Sequence, residues 1–253
     1  MPDFLGSQRL EYILNKLKQH HAVRTKFLAA ELNVADETIR TDLILLEERG
    51  LIKRVHGGAI SIRQHSCQEE RQSTPSQFVT LANLATSFIK KGEYVFLDGG
   101  KIGHTIATHL TDQELGVVTN SLEVANALHE KNEITIYLSG GALDKDSGIL
   151  LGQSAAQSIE MIGIHTMVLC PDIIDPEYGA GYYSRERAEF IKTLLKPKTK
   201  LILVSTVDNI KSSLAFYPSK IDHIKTIITN EHLSDSHIER FQSHHIEIVS
   251  PNR

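Results

Sequence analysis

The first sixty residues carry apolar positions at helical spacing and then at strand spacing. Leu10, Ile13, Leu14 and Leu17 mark one buried face of a helix, with Arg9, Lys16 and Lys18 off the stripe. After an extended piece around Ala22 and Val23, Leu28, Ala29 and Leu32 predict a second helix, for which Thr25 is the expected N-cap. Asn33 suits the left-handed residue that ends it, and Asp36 is the expected cap of a third helix over 36–49, with Ile39, Leu43 and Leu46 inward. Gly50 stops that helix. The stretch LIKRVHGGAI sets apolar Leu51, Ile52 and Val55 among basic Lys53, Arg54 and His56, and Gly57-Gly58 supplies a tight turn. Two short helices joined by a tight turn and followed by a hairpin predict a winged helix-turn-helix, an α+β domain over 1–60.

Over 61–76 the periodicity fades into QHSCQEERQSTPS, which predicts a polar linker. Beyond it, apolar runs suited to buried strands fall at 94–97, 117–119, 134–138, 167–169, 201–204, 226–228 and 246–249. Helical stretches lie between most of them, at 81–91, 122–130, 184–195 and 234–244. This alternation predicts an α/β domain over 77–253, a mainly parallel sheet with helices on both faces.

A length of 253 residues fits two domains, and 41% hydrophobic with 23% charged residues is ordinary for a globular chain. No window nears the roughly 18 apolar residues of a membrane span, and MPDFLGSQRLEY lacks the build of a secretory signal, so a cytoplasmic protein is expected. Cys67 and Cys170 are too few and too far apart for a disulfide framework or a four-ligand zinc site. The pairs His20-His21 and His244-His245 are adjacent, and neighbours on a helix point apart, so no metal and no cofactor are expected.

The net charge of −4 hides a local reversal. No acidic residue stands between Glu48 and Glu69, whereas Arg49, Lys53, Arg54 and Arg63 do, with His56 and His65. Such a cationic hairpin after a third helix points to double-stranded DNA, because phosphate neutralisation supplies most non-specific affinity. The expected contacts are Thr25, Thr38, Arg40 and Thr41 toward the groove, and Lys53, Arg54 and His56 along the backbone. A three-helix bundle with solvated charges, or a helix-turn-helix used only for protein contacts, is the plainer alternative.

The segment ETIRTDLILLEERGLIKRVHGGAI closely resembles the recognition helix and wing of the DeoR family of bacterial sugar-metabolism regulators, at Thr38, Ile39, Arg40, Asp42, Leu43, Gly50, Arg54, His56, Gly57, Gly58 and Ala59. Thr41 departs from it, where the family usually has a second arginine. In parallel sheets the ligand site lies outside the carboxyl ends of the strands. There the chain places Asp98-Gly99-Gly100-Lys101, Thr119-Asn120-Ser121, Gly140-Gly141 and Asp172. The family's sensor domain, similar in fold to ribose-5-phosphate isomerase, has D-x-G-T-T, T-N-S and G-G at corresponding places. Asp175, Gly179, Glu186, Ala188 and Lys192 match later segments, and Asp208 to Lys211 resembles its D-x-S-K.

The resemblance implies a homo-oligomeric repressor of a carbohydrate operon, bound to a DNA operator and controlled by a small effector such as a sugar phosphate. Effector contacts are then expected at Asp98, Gly99, Gly100, Lys101, Thr119, Asn120, Ser121, Gly140, Gly141, Asp172, Lys192, Asp208 and Lys211. Lys101-Ile102 replace the two threonines of D-x-G-T-T, Gln153 a usual proline, and Ala180-Gly181 the leucine and threonine of G-L-T. A different ligand, or a degenerate pocket, stays open. An isomerase-like enzyme is the rival class, with Asp172, Glu186 and Lys192 as its groups; a fused winged helix has no use in one, and no catalytic residue is expected.

Overall fold

The computed structural model describes residues 6–20, 22–49, 51–55, 57–61 and 74–251. Gly50, His56 and residues 62–73, which include Arg63, His65, Cys67 and most of the expected linker, lie outside the described residues. The chain divides into two compact units, the main break falling between His65 and Ser66.

The first unit runs α1 (Gly6–His20), β1 (Ala22–Arg24), α2 (Thr25–Leu32), α3 (Asp36–Glu48), β2 (Ile52–Val55) and β3 (Gly58–Ser61). Ile13 and Leu17 of α1, Leu28, Ala29 and Leu32 of α2, and Ile39, Leu43 and Leu46 of α3 close on Val23, Ile52 and Ala59. The wing strands β2 and β3 pair antiparallel, and β1 joins β3 from the other side. Asn33 ends α2 in the left-handed conformation, its N–H and that of Val34 returning to carbonyls of the last turn.

Both expected caps are displaced by one residue. Arg24, not Thr25, holds the cap position of α2, and Ala35, not Asp36, that of α3; neither helix has a side-chain cap. Thr25 is free of that role because its N–H donates to the Gly57 carbonyl at 2.9 Å, so the wing turn satisfies the first donor of the helix. Asp36 and Glu37 instead occupy the first turn of α3, where negative charge suits the helix dipole.

In the second unit come α4 (Pro75–Thr86), β4 (Tyr94–Leu97), α5 (Gly100–His109), β5 (Leu115–Thr119), α6 (Leu122–Leu128) and β6 (Ile134–Leu138). A hairpin of β7 (Ala142–Asp144) and β8 (Ile149–Leu151) leads to α7 (Gln153–Ile159) and β9 (Thr166–Leu169). Then follow a second hairpin, β10 (Ile173–Asp175) with β11 (Gly179–Gly181), and α8 (Arg185–Leu194), β12 (Lys200–Ser205), β13 (Ile224–Thr229), α9 (Asp235–Ser243) and β14 (Glu247–Val249).

Seven strands make one sheet in the order β14-β13-β12-β9-β4-β5-β6, parallel at every pairing. Each of the seven apolar runs read from the sequence is one of these strands. Alternation along them splits the core: Phe96, Val118, Met167, Leu169 and Leu203 face α7, α8 and α9, whereas Val95, Leu97, Val117, Val168 and Val204 face α4, α5 and α6. The chain builds outward from β4 to β6, then returns to the far side of β4 with β9. The order therefore reverses between β4 and β9, the place in such sheets where connecting loops diverge.

Candidate functional site

Two sites follow from these units. In the first, α3 buries Ile39, Asp42, Leu43 and Leu46 and leaves Glu37, Arg40, Thr41 and Ile44 exposed. Asp42 is buried because Arg9 of α1 grips both its oxygens, Nη2 to Oδ1 at 3.0 Å and Nε to Oδ2. Arg9, which lies off the apolar stripe of α1, thus ties α1 to α3, and the motif's aspartate serves that ion pair.

Arg40, 60% exposed, donates from Nη1 to Glu37 Oε2 at 2.8 Å, and the Thr41 hydroxyl donates to the Glu37 carbonyl at 3.0 Å. On the wing, Arg54 donates from its backbone N–H and from Nε to the two Glu47 oxygens, each at 2.7 Å. Those bonds, the backbone one foremost, hold the Glu47 carboxyl below the ordinary carboxylate range. Lys53 is half-buried and Thr38 likewise. Thr25 is only 6% exposed, so its side chain is part of the core and not a groove contact; Arg24 and Lys26 beside it are exposed. Glu37 and Glu47 escaped the reading of the sequence, which looked for cations alone.

The second site is the carboxyl edge of the sheet, and its centre is a residue that sequence reasoning passed over. Ser184 caps α8 through the N–H of Arg187, and Arg187 turns inward at the reversal between β4 and β9. Its Nη2 lies 2.9 Å from Asp98 Oδ2 and donates to the Cys170 carbonyl at 3.2 Å, and Nη1 lies 3.8 Å from Asp172 Oδ1. Its guanidinium stacks over Tyr182 at 4.9 Å. Burial alone would lower the Arg187 pKa; Asp98 and then Asp172 more than reverse this, and the net shift is upward. Burial, and then Asp98, hold the Tyr182 phenol well above its ordinary range, so it remains a neutral donor.

Asp98 is fully buried and accepts from the N–H groups of Gly99 and Cys170, from the Tyr182 hydroxyl and from Arg187. A carboxylate so engaged joins the ends of β4 and β9. Thr119, Asn120 and Ser121 are buried as well. Thr119 donates to the Leu97 carbonyl and accepts from the Ser121 N–H, Ser121 caps α6, and Asn120 donates to the Leu150 carbonyl. These side chains shape the turn after β5. Gly141, at φ 109°, would set a Cβ 2.6 Å from the Leu151 carbonyl, and Gly140 donates to Ser158, so this pair steers the chain into the first hairpin.

What remains open is the start of α5, where Gly100 at φ 91° precedes exposed Lys101, with Gly99 close against Ser121 and Ile149. Asp172 is partly exposed and accepts from the Tyr183 N–H at 2.7 Å. Lys192 is exposed in the last turn of α8, five residues beyond Arg187 and so about 7.5 Å further along the axis. It does not join the group; Arg187 is the α8 cation at the strand ends. Asp208 is exposed, and Lys211 donates its N–H to Ile174 beside the second hairpin. In that hairpin Asp175 accepts from the N–H groups of Glu177 and Tyr178 and Gly179 adopts φ 90°, which accounts for both motif residues as turn formers.

No helix among the described residues is long and apolar enough to cross a membrane, and those residues hold no cluster of three or more His, Cys, Asp or Glu suited to a metal.

A DeoR-like helix-turn-helix domain model matches residues 9–65, and a DeoR C terminal sensor domain model matches residues 79–231. The chain is 28% identical over 227 residues to the HTH-type transcriptional repressor GlcR of Bacillus subtilis (strain 168), covering 88% of each. It is 26% identical over 250 residues to the putative aga operon transcriptional repressor of Escherichia coli O157:H7, covering 96% of this chain and 93% of that one. The lactose phosphotransferase system repressor of Lactococcus lactis subsp. lactis is 28% identical over 247 residues, covering 94% and 96%. Among solved structures, ribose 5 phosphate isomerase A from Neisseria gonorrhoeae aligns at a TM-score of 0.40 and 13% identity, over 55% of this chain and 54% of that one, a likeness too slight to argue from. The two domain matches follow one another along the chain in the order of the two units, and the chain belongs to the DeoR family.

Proposed function

We propose that the chain is a transcriptional regulator that binds an operator through its first unit and senses a small sugar-derived effector at the carboxyl edge of its second. The relatives are repressors of sugar-related operons, and in this reading the chain represses as well. The observation that carries the reading is the outward face of α3 beside an antiparallel wing, with Arg40 exposed on the helix and exposed Arg54 and half-buried Lys53 on the wing. In this reading Arg40, Thr38 and Thr41 approach base edges while Lys53 and Arg54 lie along phosphates. The exposed Arg40–Glu37 pair is worth no more than about 1 kcal/mol and uses one guanidinium nitrogen, which leaves the other donors of Arg40 for a guanine. A homo-oligomer would set two such helices on the two halves of a palindromic site, and a DNA partner places the chain in the compartment that holds the DNA.

For the effector, Gly100, Lys101 and Asp172 are the residues assigned, the start of α5 being a helix N-terminus of the kind that suits an anionic or hydroxylated ligand. Catalysis is not part of the proposal: of the groups an isomerase would need, Lys192 stands about 7.5 Å along α8 beyond Arg187 and does not join Asp172. Turnover of pentose or hexose phosphates by the protein would reverse that.

Titration of labelled upstream DNA at several salt concentrations tests the reading. Arg40→Ala should abolish preference for the specific site, and Lys53→Ala should weaken all sequences and flatten the salt slope by roughly 0.9. Equal operator affinity for both variants and the parent refutes it. A thermal-shift screen against sugar phosphates tests the effector, since a ligand at about 100 times its Kd stabilises by about 2.7 kcal/mol.

A further inference from the structure

At 100° per residue, the positions of α3 directly opposite its buried stripe of Ile39, Asp42, Leu43 and Leu46 are 37, 41, 44 and 48, with 40 at their flank. The helix therefore leads with Glu37, whose side chain is 77% exposed. A carboxylate at the front of a surface meant for a polyanion is repelled by phosphates. On a duplex the groups that favour one are the exocyclic amines of the major groove, that of cytosine above all. Two observations fix how Glu37 is presented. Its Oε2 accepts from Arg40 Nη1 at 2.8 Å, which sets the two side chains next to each other, and a guanidinium has more N–H donors than this bond uses. The Thr41 hydroxyl donates back to the Glu37 carbonyl at 3.0 Å, which commits its proton to the helix. Ile44, 40% exposed, extends the same face one turn on.

We infer that Glu37 is a specificity-determining residue, accepting a hydrogen bond from the amine of a cytosine while Arg40, held beside it, donates to a neighbouring guanine. The inference rests on the regulator reading. It explains why an acidic residue leads this helix: the negative charge lowers affinity for every sequence, and the contact restores it for one.

The test is selection of duplexes from a randomised pool by the full chain and by Glu37→Ala and Glu37→Gln. The parent should enrich a site with a cytosine at one position that Glu37→Ala no longer distinguishes, a loss of roughly 5- to 100-fold in discrimination there, with affinity for unrelated DNA raised. Glu37→Gln should move the preference at that position toward adenine, whose edge a glutamine amide matches. If Glu37→Ala selects the same site as the parent, or gains equally for all sequences, Glu37 only repels the backbone and the inference falls. If the position lost is an adenine, the cytosine assignment falls. If the parent enriches nothing, the regulator reading falls and takes this one with it. Both side chains are exposed, so circular dichroism and melting of the variants should match the parent.

Discussion

A guanidinium withdrawn from water has to be matched by carboxylates, and Arg187 is matched by Asp98 and Asp172. Removing one partner leaves the other charge buried alone, so Arg187→Ala should cost about 3–5 kcal/mol, read from chemical denaturation of the second unit. Asp98→Asn combined with Arg187→Met should recover part of that loss, since the fully buried charge is then gone and only the partly exposed Asp172 is left without its cation. At the other end of the chain, Asp42→Ala removes two charge-assisted bonds from Arg9 and should lower the stability of the first unit by about 2 kcal/mol without touching a groove-facing side chain. A melting curve taken beside a DNA titration separates these effects. These pairs were hidden in the sequence for a common reason. Arg9 and Arg187 each stand among other charged or polar residues on helices, and nothing local distinguishes an arginine facing solvent from one facing a carboxylate brought in by another element.

Elements were legible where one physical signal was strong. The seven strands announce themselves as Val-, Ile- and Leu-rich runs because a parallel sheet is covered on both faces. The two hairpins went unread, since their three-residue strands are too short to show alternation. The start of α4 was legible but misread as linker: Thr74 and Gln77 form a reciprocal capping box with Pro75 at the first helical position, and the helix begins well ahead of the expected residue 81. Thr74→Ala should accordingly cost about 1 kcal/mol in thermal unfolding. Between α3 and the wing, the Glu47–Arg54 clasp carries a pH dependence. The folded carboxyl titrates below its unfolded value, so its contribution is complete above roughly pH 5 and fades as the pH falls through the lower folded value. Because both side chains are over a third exposed, the effect stays under about 1 kcal/mol. Comparing the urea midpoints of the parent and Glu47→Gln should show their gap closing on acidification.

At the scale of the whole molecule, each unit has its own core, Ile13 to Ala59 in one and the two faces of the parallel sheet in the other. Calorimetry should therefore resolve two transitions, of which operator DNA raises the first unit's and an effector the second's. A single transition moved as one by either ligand would show that the units unfold as a single body. Fold class could be read from the sequence at this scale because periodicity reports layers, whereas in the sensor unit glycine, serine and asparagine after β5 and β6 also shape turns, so residue type alone does not separate the two uses. The carboxylate at the reversal of strand order has one more effect. Two amides, those of Gly99 and Cys170, end on Asp98 in a place water does not reach. Their deuterium uptake should await opening of the sheet itself, which makes this pair a built-in clock for how often the second unit unfolds.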